Sequence, residues 1–353
     1  MGARNAPATN LNSESMNVAL VGYGYWGKIL LKNLLEIKDF NLKAVVDLDY
    51  EQLKPIKAEH PEIDISANYQ EVFKRDDIEA VLVGTEETTH YQIARHALHM
   101  GKHVFIEKPM TCSFSTSKEL VLLAEKNDRT LMVNHLLLYS QPVVKIKELL
   151  ADKRGDILYI DCMRVSFAPQ IRKRINVLWD LAPHDISVVN YLLEDMPVCV
   201  SASGVPNVST ENQDTVDCSL YYRRGKIINL KFSWKYPLRK RQTLIRTHDE
   251  VMVYDECSED SSIHVFSVNS DSQAPAKHPV ERVPPLAVAL KDFLYSIEIG
   301  HQPLASGKSA LDVIKIIDAL QSSLDNNGEK VFLDLDPYRL KSTNSTYDYI
   351  LER

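Results

Sequence analysis

Residues 17–27 read Asn-Val-Ala-Leu-Val-Gly-Tyr-Gly-Tyr-Trp-Gly, and this stretch limits the folds open to the chain more than any other. Val18 to Val21 form a short apolar run of the kind that fills a buried strand. Gly22, Gly24 and Gly27 follow on a G-x-G-x-x-G spacing, and Lys28 to Ile37 continue as a leucine-rich helix. In a strand–turn–helix the first glycine makes the tight turn and the second lets backbone amides approach a pyrophosphate. The third lets helix and strand pack closely. Phosphates would rest on the amides at the helix N-terminus, where the macrodipole favours an anion. The stretch predicts a bound dinucleotide.

The residues that follow extend this reading. Leu42 to Val46 form a second apolar strand ending at Asp47, where the dinucleotide fold places its ribose-binding carboxylate. A carboxylate accepts from ribose hydroxyls and repels a 2′-phosphate, so the expected cofactor is NAD rather than NADP; Asp49 competes for the role. Strands at 80–83, 103–106 and 130–133 then alternate with helices at 51–59, 69–74, 90–100 and 115–127. Such alternation predicts α/β, a doubly wound parallel sheet. Ligands bind at the carboxyl ends of such strands, which places Gly84–Glu87, Glu107–Pro109 and Asn134–His135 in one crevice. His96, His99 and His103 invite a metal reading, but Gly101 ends the helix between the last two, and no metal is expected.

Beyond residue 136 the pattern changes. Strands read at 157–167, 198–205, 215–222, 227–234, 242–246 and 251–254, with a helix at 186–193 before most of them. Residues 222–226 form a hairpin turn with Gly225 at its tip. Residues 267–285 read as a loop, and 286–299 and 309–324 as amphipathic helices. The expected organisation is a polar tail at 1–15, a nucleotide domain at 16–136, and an α+β domain at 137–353 built on a large, mostly antiparallel open sheet. A formal net charge of −7 argues against non-specific nucleic-acid binding. No run of 18 apolar residues exists, so no membrane span is expected. Five scattered cysteines, never spaced C-x-x-C, fit a reducing cytoplasm.

Ile106-Glu107-Lys108-Pro109 resembles the Glu-Lys-Pro signature of the glucose-fructose oxidoreductase / inositol dehydrogenase / MocA family. That family's order of glycine loop, strand-end acid, Thr-x-x-x-x-His and Glu-Lys-Pro is matched by Gly22/Gly24/Gly27, Asp47, Thr85 to His90, and Glu107 to Pro109. The chain departs at Glu86-Glu87, where the family more often has prolines, and at Asn134, where glycine is commoner. Trp179-Asp180-Leu181-Ala182-Pro183-His184-Asp185 is similar to the family's D-x-x-x-H segment in the form of its sugar-nucleotide members. Tyr25, Trp26, Arg164, Asn176 and Ser233-Trp234 to Arg241 also resemble that subgroup. The resemblance implies a dehydrogenase acting on a sugar or sugar nucleotide, at a ring position such as C3. It further implies a homodimer or homotetramer formed through the second sheet. Glycosidases that oxidise transiently share this fold, and a non-catalytic dinucleotide-binding protein is a third alternative.

Hydride exchange with a carbinol needs a held cofactor, an oriented carbon and a group for the hydroxyl proton. The resemblance carries over Lys108, Asp180 and His184 as the catalytic set. Pro109 suits a cis peptide that fixes the direction of Lys108. Asp180 and His184, four apart at a helix start with Pro183 early in it, share a side, and the carboxylate should favour protonated histidine. Either Lys108 or His184 is the proton acceptor. Thr85, His90, Glu107 and Lys108 are expected against the cofactor, with Gly22, Gly24, Tyr25, Trp26, Gly27 and Asp47. For the substrate the candidates are Lys108, His135, Arg164, Arg172, Asn176, Asp180, His184, Lys240 and Arg241. The basic residues suit a diphosphate or sugar carboxylate.

Overall fold

The computed structural model describes residues 15–168, 174–207, 212–269, 274–281 and 283–334. Apart from Ser15, the expected N-terminal tail lies outside them, as does Arg172.

The first half runs β1 (Met16–Val21), α1 (Tyr25–Glu36), β2 (Phe40–Val46), α2 (Lys54–Glu59), β3 (Asp64–Ser66), α3 (Tyr69–Phe73), β4 (Ala80–Val83), α4 (His90–His99), β5 (His103–Ile106), α5 (Phe114–Lys126) and β6 (Leu131–Val133). The six strands form one sheet in the order β3-β2-β1-β4-β5-β6, all parallel. The order reverses between β1 and β4, which opens a crevice at their carboxyl ends. Alternate strand residues fill the two faces. Val21, Val83 and Ile106 pack with α4 and α5, whereas Leu20, Leu82 and Phe105 face the other way. Phe105 meets Phe293 of the second half at 5.7 Å between ring centroids, so the two halves share a core.

The second half begins with a 3₁₀ turn (Leu136–Tyr139) and α6 (Gln141–Leu149). It continues with β7 (Tyr159–Phe167), α7 (Val177–Leu193), β8 (Cys199–Pro206), β9 (Gln213–Tyr221), β10 (Ile227–Ser233), β11 (Lys235–Arg246), β12 (Glu250–Asp255), β13 (Ser262–Ser267), β14 (Ala276–Pro279), α8 (Pro285–Ile299), α9 (Gly307–Asp325) and β15 (Val331–Phe332). Nine strands form a sheet in the order β14-β13-β12-β11-β7-β10-β9-β8-β15, antiparallel except for β7 and β10. The β9–β10 hairpin turns through Arg224 and Gly225, both at positive φ.

Three differences from the sequence reading have physical causes. The expected loop at 267–285 contains β14, which lacks apolar alternation and is a strand because β13 pairs with it. Neither β13 nor α6 is expected from the pattern. Helix α7 starts at Val177, nine residues earlier than read, because Asn176 caps it: its Oδ1 accepts from the Trp179 N–H at 3.2 Å. Pro183 therefore lies inside the helix rather than at its first turn, leaving the Trp179 carbonyl without its helical donor.

Candidate active site between the two sheets

The glycine loop joins β1 to α1 at the switch point. Gly22 has φ +95°, and a Cβ there would lie 2.7 Å from the Thr85 amide nitrogen. A Cβ on Gly27 would stand 2.0 Å from the Gly22 carbonyl oxygen, so helix and strand touch backbone to backbone. Gly24 differs: nothing lies within 4 Å of its would-be Cβ. That open space sits at the N-terminus of α1, whose first turn has no side-chain cap, and it fits a pyrophosphate. Tyr25 is exposed beside it, edge-on to Trp26 at 5.9 Å.

The structure separates the two candidate acids. Asp47 Oδ2 accepts from the Tyr23 amide at 2.6 Å, and Oδ1 accepts from the Asp49 amide and the Gln52 side chain, each at 2.9 Å. Asp47 thus braces the glycine loop from the end of β2. Asp49 instead caps the following 3₁₀ turn.

At the ends of β4, β5 and β6 the expected segments come together. The Lys108–Pro109 peptide is cis. His90 is not on the crevice surface. It is buried, with Nδ1 2.8 Å from the Pro109 carbonyl and Nε2 3.1 Å from the Thr85 carbonyl, so it ties the two crevice loops from beneath. Glu107 is buried and accepts from Asn134 Nδ2 at 2.7 Å, and burial pushes its carboxyl up to about 7. The asparagine that departs from the family pattern therefore serves as the glutamate's partner.

Lys108 crosses to α7. Its Nζ donates to the Asp180 carbonyl at 2.8 Å and to Asp180 Oδ1 at 3.1 Å. The Trp234 indole N–H, at the end of β10, donates to Asp180 Oδ2 at 3.2 Å. Two of the three ammonium hydrogens are thus committed, and one is left for a ligand. Asp180 engages Lys108 and Trp234, so its carboxylate does not raise the histidine's pKa as the spacing suggests. Burial, then the positive charges of Lys108, Arg164 and Arg241, push His184 well below the ordinary histidine value. Three buried polar atoms here lack any partner among the described residues: Asn134 Oδ1, His135 Nδ1 and His184 Nδ1. Unpaired acceptors and donors around an ammonium suit a polar ligand, and the Asn134 oxygen suits a carboxamide.

The basic candidates are not equivalent. Arg164 is buried and fully engaged: Nε and one terminal nitrogen donate to Asp185 at 2.7 and 3.0 Å, and Glu256 takes bonds at 2.7 and 3.3 Å. Its place is inside the sheet–helix layer. Asn176 likewise is spent on capping α7 and on bonds to Gln213 and Gln321. Lys240 and Arg241 are consecutive in β11 and so face opposite ways. Arg241 pairs in register with Arg164 and stands on the His184 side, half-buried, 3.7 Å from Glu256, whereas Lys240 is exposed. Glu86 forms an ion pair with Arg174 across the crevice. Trp234, Asp185 and Glu256 were not assigned roles from sequence; the buried Arg164 demands the last two, and only the fold reveals that. His96 packs on Phe73 and Tyr69, and His103 Nδ1 accepts from the Thr130 amide at 3.0 Å.

Comparison with known proteins identifies the family. A family model described as "Oxidoreductase family, NAD-binding Rossmann fold" matches residues 16–135. A second, the GFO/IDH/MocA C-terminal domain, matches residues 143–252. The chain belongs to the GFO/IDH/MocA oxidoreductase family. It is 30% identical to the uncharacterized oxidoreductase YdgJ of Escherichia coli over 49% of this chain and 52% of YdgJ. It is 26% identical to the scyllo-inositol 2-dehydrogenase (NADP(+)) IolW of Bacillus subtilis over 58% of each. In these two relatives the match spans little more than half of their length. The UDP-N-acetylglucosamine 3-dehydrogenase of Acidithiobacillus ferrooxidans is 24% identical over 82% of this chain and 90% of the relative. Its solved structure superposes with a TM-score of 0.79 at 21% identity, covering 89% of this chain and 99% of that one. Its first domain, residues 16–135, is the family's NAD-binding Rossmann fold. Among the described residues no helix is long and apolar enough to cross a membrane.

Proposed function

We propose that this oxidoreductase exchanges a hydride between NAD and a ring carbinol, such as C3, of a sugar or nucleotide-linked sugar. The reading rests above all on Lys108: a buried ammonium held by Asp180, with one hydrogen free, at the strand ends beside the glycine loop. The amides at Gly24 to Trp26 would hold the pyrophosphate, Asp47 the adenosine ribose, and Glu107 with Asn134 the carboxamide end. When bound, the nicotinamide supplies the hydride acceptor or donor. Lys108 donates its remaining hydrogen bond to the reacting oxygen and stabilises negative charge developing there. The departing hydride makes the hydroxyl strongly acidic, so His184, although burial and neighbouring cations hold it well below the ordinary value, takes that proton as the carbon is oxidised and returns it in the reverse direction. Arg241, half-buried on the histidine side of the sheet, suits a phosphate or carboxylate on the substrate.

A preference for NAD over NADP is supported by Asp47 at the end of β2, whose carboxylate would repel a 2′-phosphate. Assembly as a homodimer or homotetramer through the nine-stranded sheet is supported by Phe167, Val205 and Phe332, large apolar residues that its strands leave exposed. A cytoplasmic location is supported by five cysteines that all remain unpaired. Purified protein incubated with NAD and UDP-hexoses should form NADH. Release of an aglycone from glycosides with no change in NADH would support the glycosidase alternative instead.

A further inference from the structure

The turn that carries His135 is closed by contacts that the chemistry above does not use. The Val133 N–H donates to the Ala305 carbonyl at 2.9 Å, and the Ala305 N–H donates to the Tyr139 hydroxyl at 3.1 Å. That hydroxyl donates to Asp292 Oδ2 at 2.6 Å, and the Leu304 N–H donates to the same oxygen at 2.9 Å. Residues 133 and 139, on either side of Asn134 and His135, are thus bound to one segment between α8 and α9. Tyr139 and Asp292 are both fully buried. Asp292 stands in the apolar face of α8 among Ala289, Leu290 and Phe293, and its second oxygen has no partner among the described residues. An unpaired carboxyl oxygen in such surroundings costs stability, and packing alone gives no reason for it.

His135 gives a reason. It is buried, its Nδ1 has no partner among the described residues, and it lies beside Lys108 and His184. A ring with freedom to turn would find a partner or a water for that nitrogen. We infer that Tyr139 and Asp292 are positioning residues, which lock His135 in the one setting that leaves its ring nitrogen unpaired for a substrate hydroxyl. The inference rests on the proposed reading of the site.

The test is a ¹⁵N-histidine NMR titration of the full chain, wild type against Tyr139→Phe and Asp292→Asn. Among the described residues, the charged and titratable groups that act on His135 are Lys108, after β5, and His184, on α7; neither variant alters them. In the wild type, burial and then Lys108 hold His135 at about 3, so its ring is neutral near pH 7. Loosening the turn admits water, and the ring should titrate toward the ordinary value of about 6.5. Asp292→Asn keeps the volume and decides the matter if Tyr139→Phe fails to fold. An unmoved His135 titration in a folded variant overturns the inference. With UDP-N-acetylglucosamine as probe, Tyr139→Phe should cost roughly tenfold or more in kcat/KM, and no further loss once His135→Gln is present. Additive losses would mark the tyrosine as merely structural. The titration needs no sugar, so failure of the sugar reading leaves it unaffected.

Discussion

Replacing Lys108 by methionine removes an ammonium while keeping a side chain of similar length. The ammonium bonds Asp180 at 2.8 and 3.1 Å, and the two side chains are only 7% and 10% exposed. After the change, Asp180 retains the Trp234 indole N–H at 3.2 Å. Removing one partner of a buried pair costs about 3–5 kcal/mol, and the surviving indole bond places this case near the lower end, about 3 kcal/mol. Losing the group that handles the reacting oxygen should lower turnover by roughly 10²–10⁴-fold. The two losses separate in the double variant Lys108→Met/Asp180→Asn. Its neutral pair should recover most of the stability in urea unfolding, yet none of the NADH formation. Strictly additive stability losses, or wild-type turnover by Lys108→Met, would refute the reasoning.

Three further outcomes are expected. Gly24→Ala should fold with wild-type thermal stability but bind NAD weakly, because its Cβ meets only open space in the free protein, whereas Gly27→Ala should lose stability as well, its Cβ lying 2.0 Å from a carbonyl oxygen; calorimetry reads both. Asp47→Ala should weaken NAD and relax discrimination against NADP in direct binding, and an unchanged preference would move the ribose contact to Asp49 or elsewhere. Glu107 is raised from 4.5 to about 7 by burial, so the folded chain binds the extra proton between those values and loses stability as pH rises through that window. Glu107→Gln should remove that slope, worth up to about 3 kcal/mol, and a pH profile as steep as the wild type's would contradict it.

The first domain was legible because its instructions are local. Gly22, Gly24 and Gly27 punctuate a strand and a helix, Gly101 ends α4, and the expected strands at 80–83 and 103–106 coincide with β4 and β5. The second domain hid more because its strands depend on partners distant in sequence. Ala276–Pro279 is a strand only beside β13, and Asn176 signals a helix start only once Trp179 turns its amide back to it. The site shows the same division. Lys108, Asp180 and His184 were named by spacing and resemblance, and the structure gathers them. Arg164 read as a substrate contact because sequence cannot show that Asp185 and Glu256 enclose it. Tyr139 and Asp292, 153 residues apart, had no sequence signal beyond an acid in an apolar helix.

The role proposed for Lys108 is hydride exchange with a sugar. It is tested most directly by recording reduced-nicotinamide absorbance when the purified chain and NAD meet a panel of UDP-hexoses, UDP-N-acetylhexosamines, free hexoses and inositols. At least one compound should drive NADH formation by the wild type, and Lys108→Met, still binding NAD, should form none. A wild type that binds NAD yet reduces it with no member of the panel, or a Lys108→Met variant as active as an active wild type, would overturn that role.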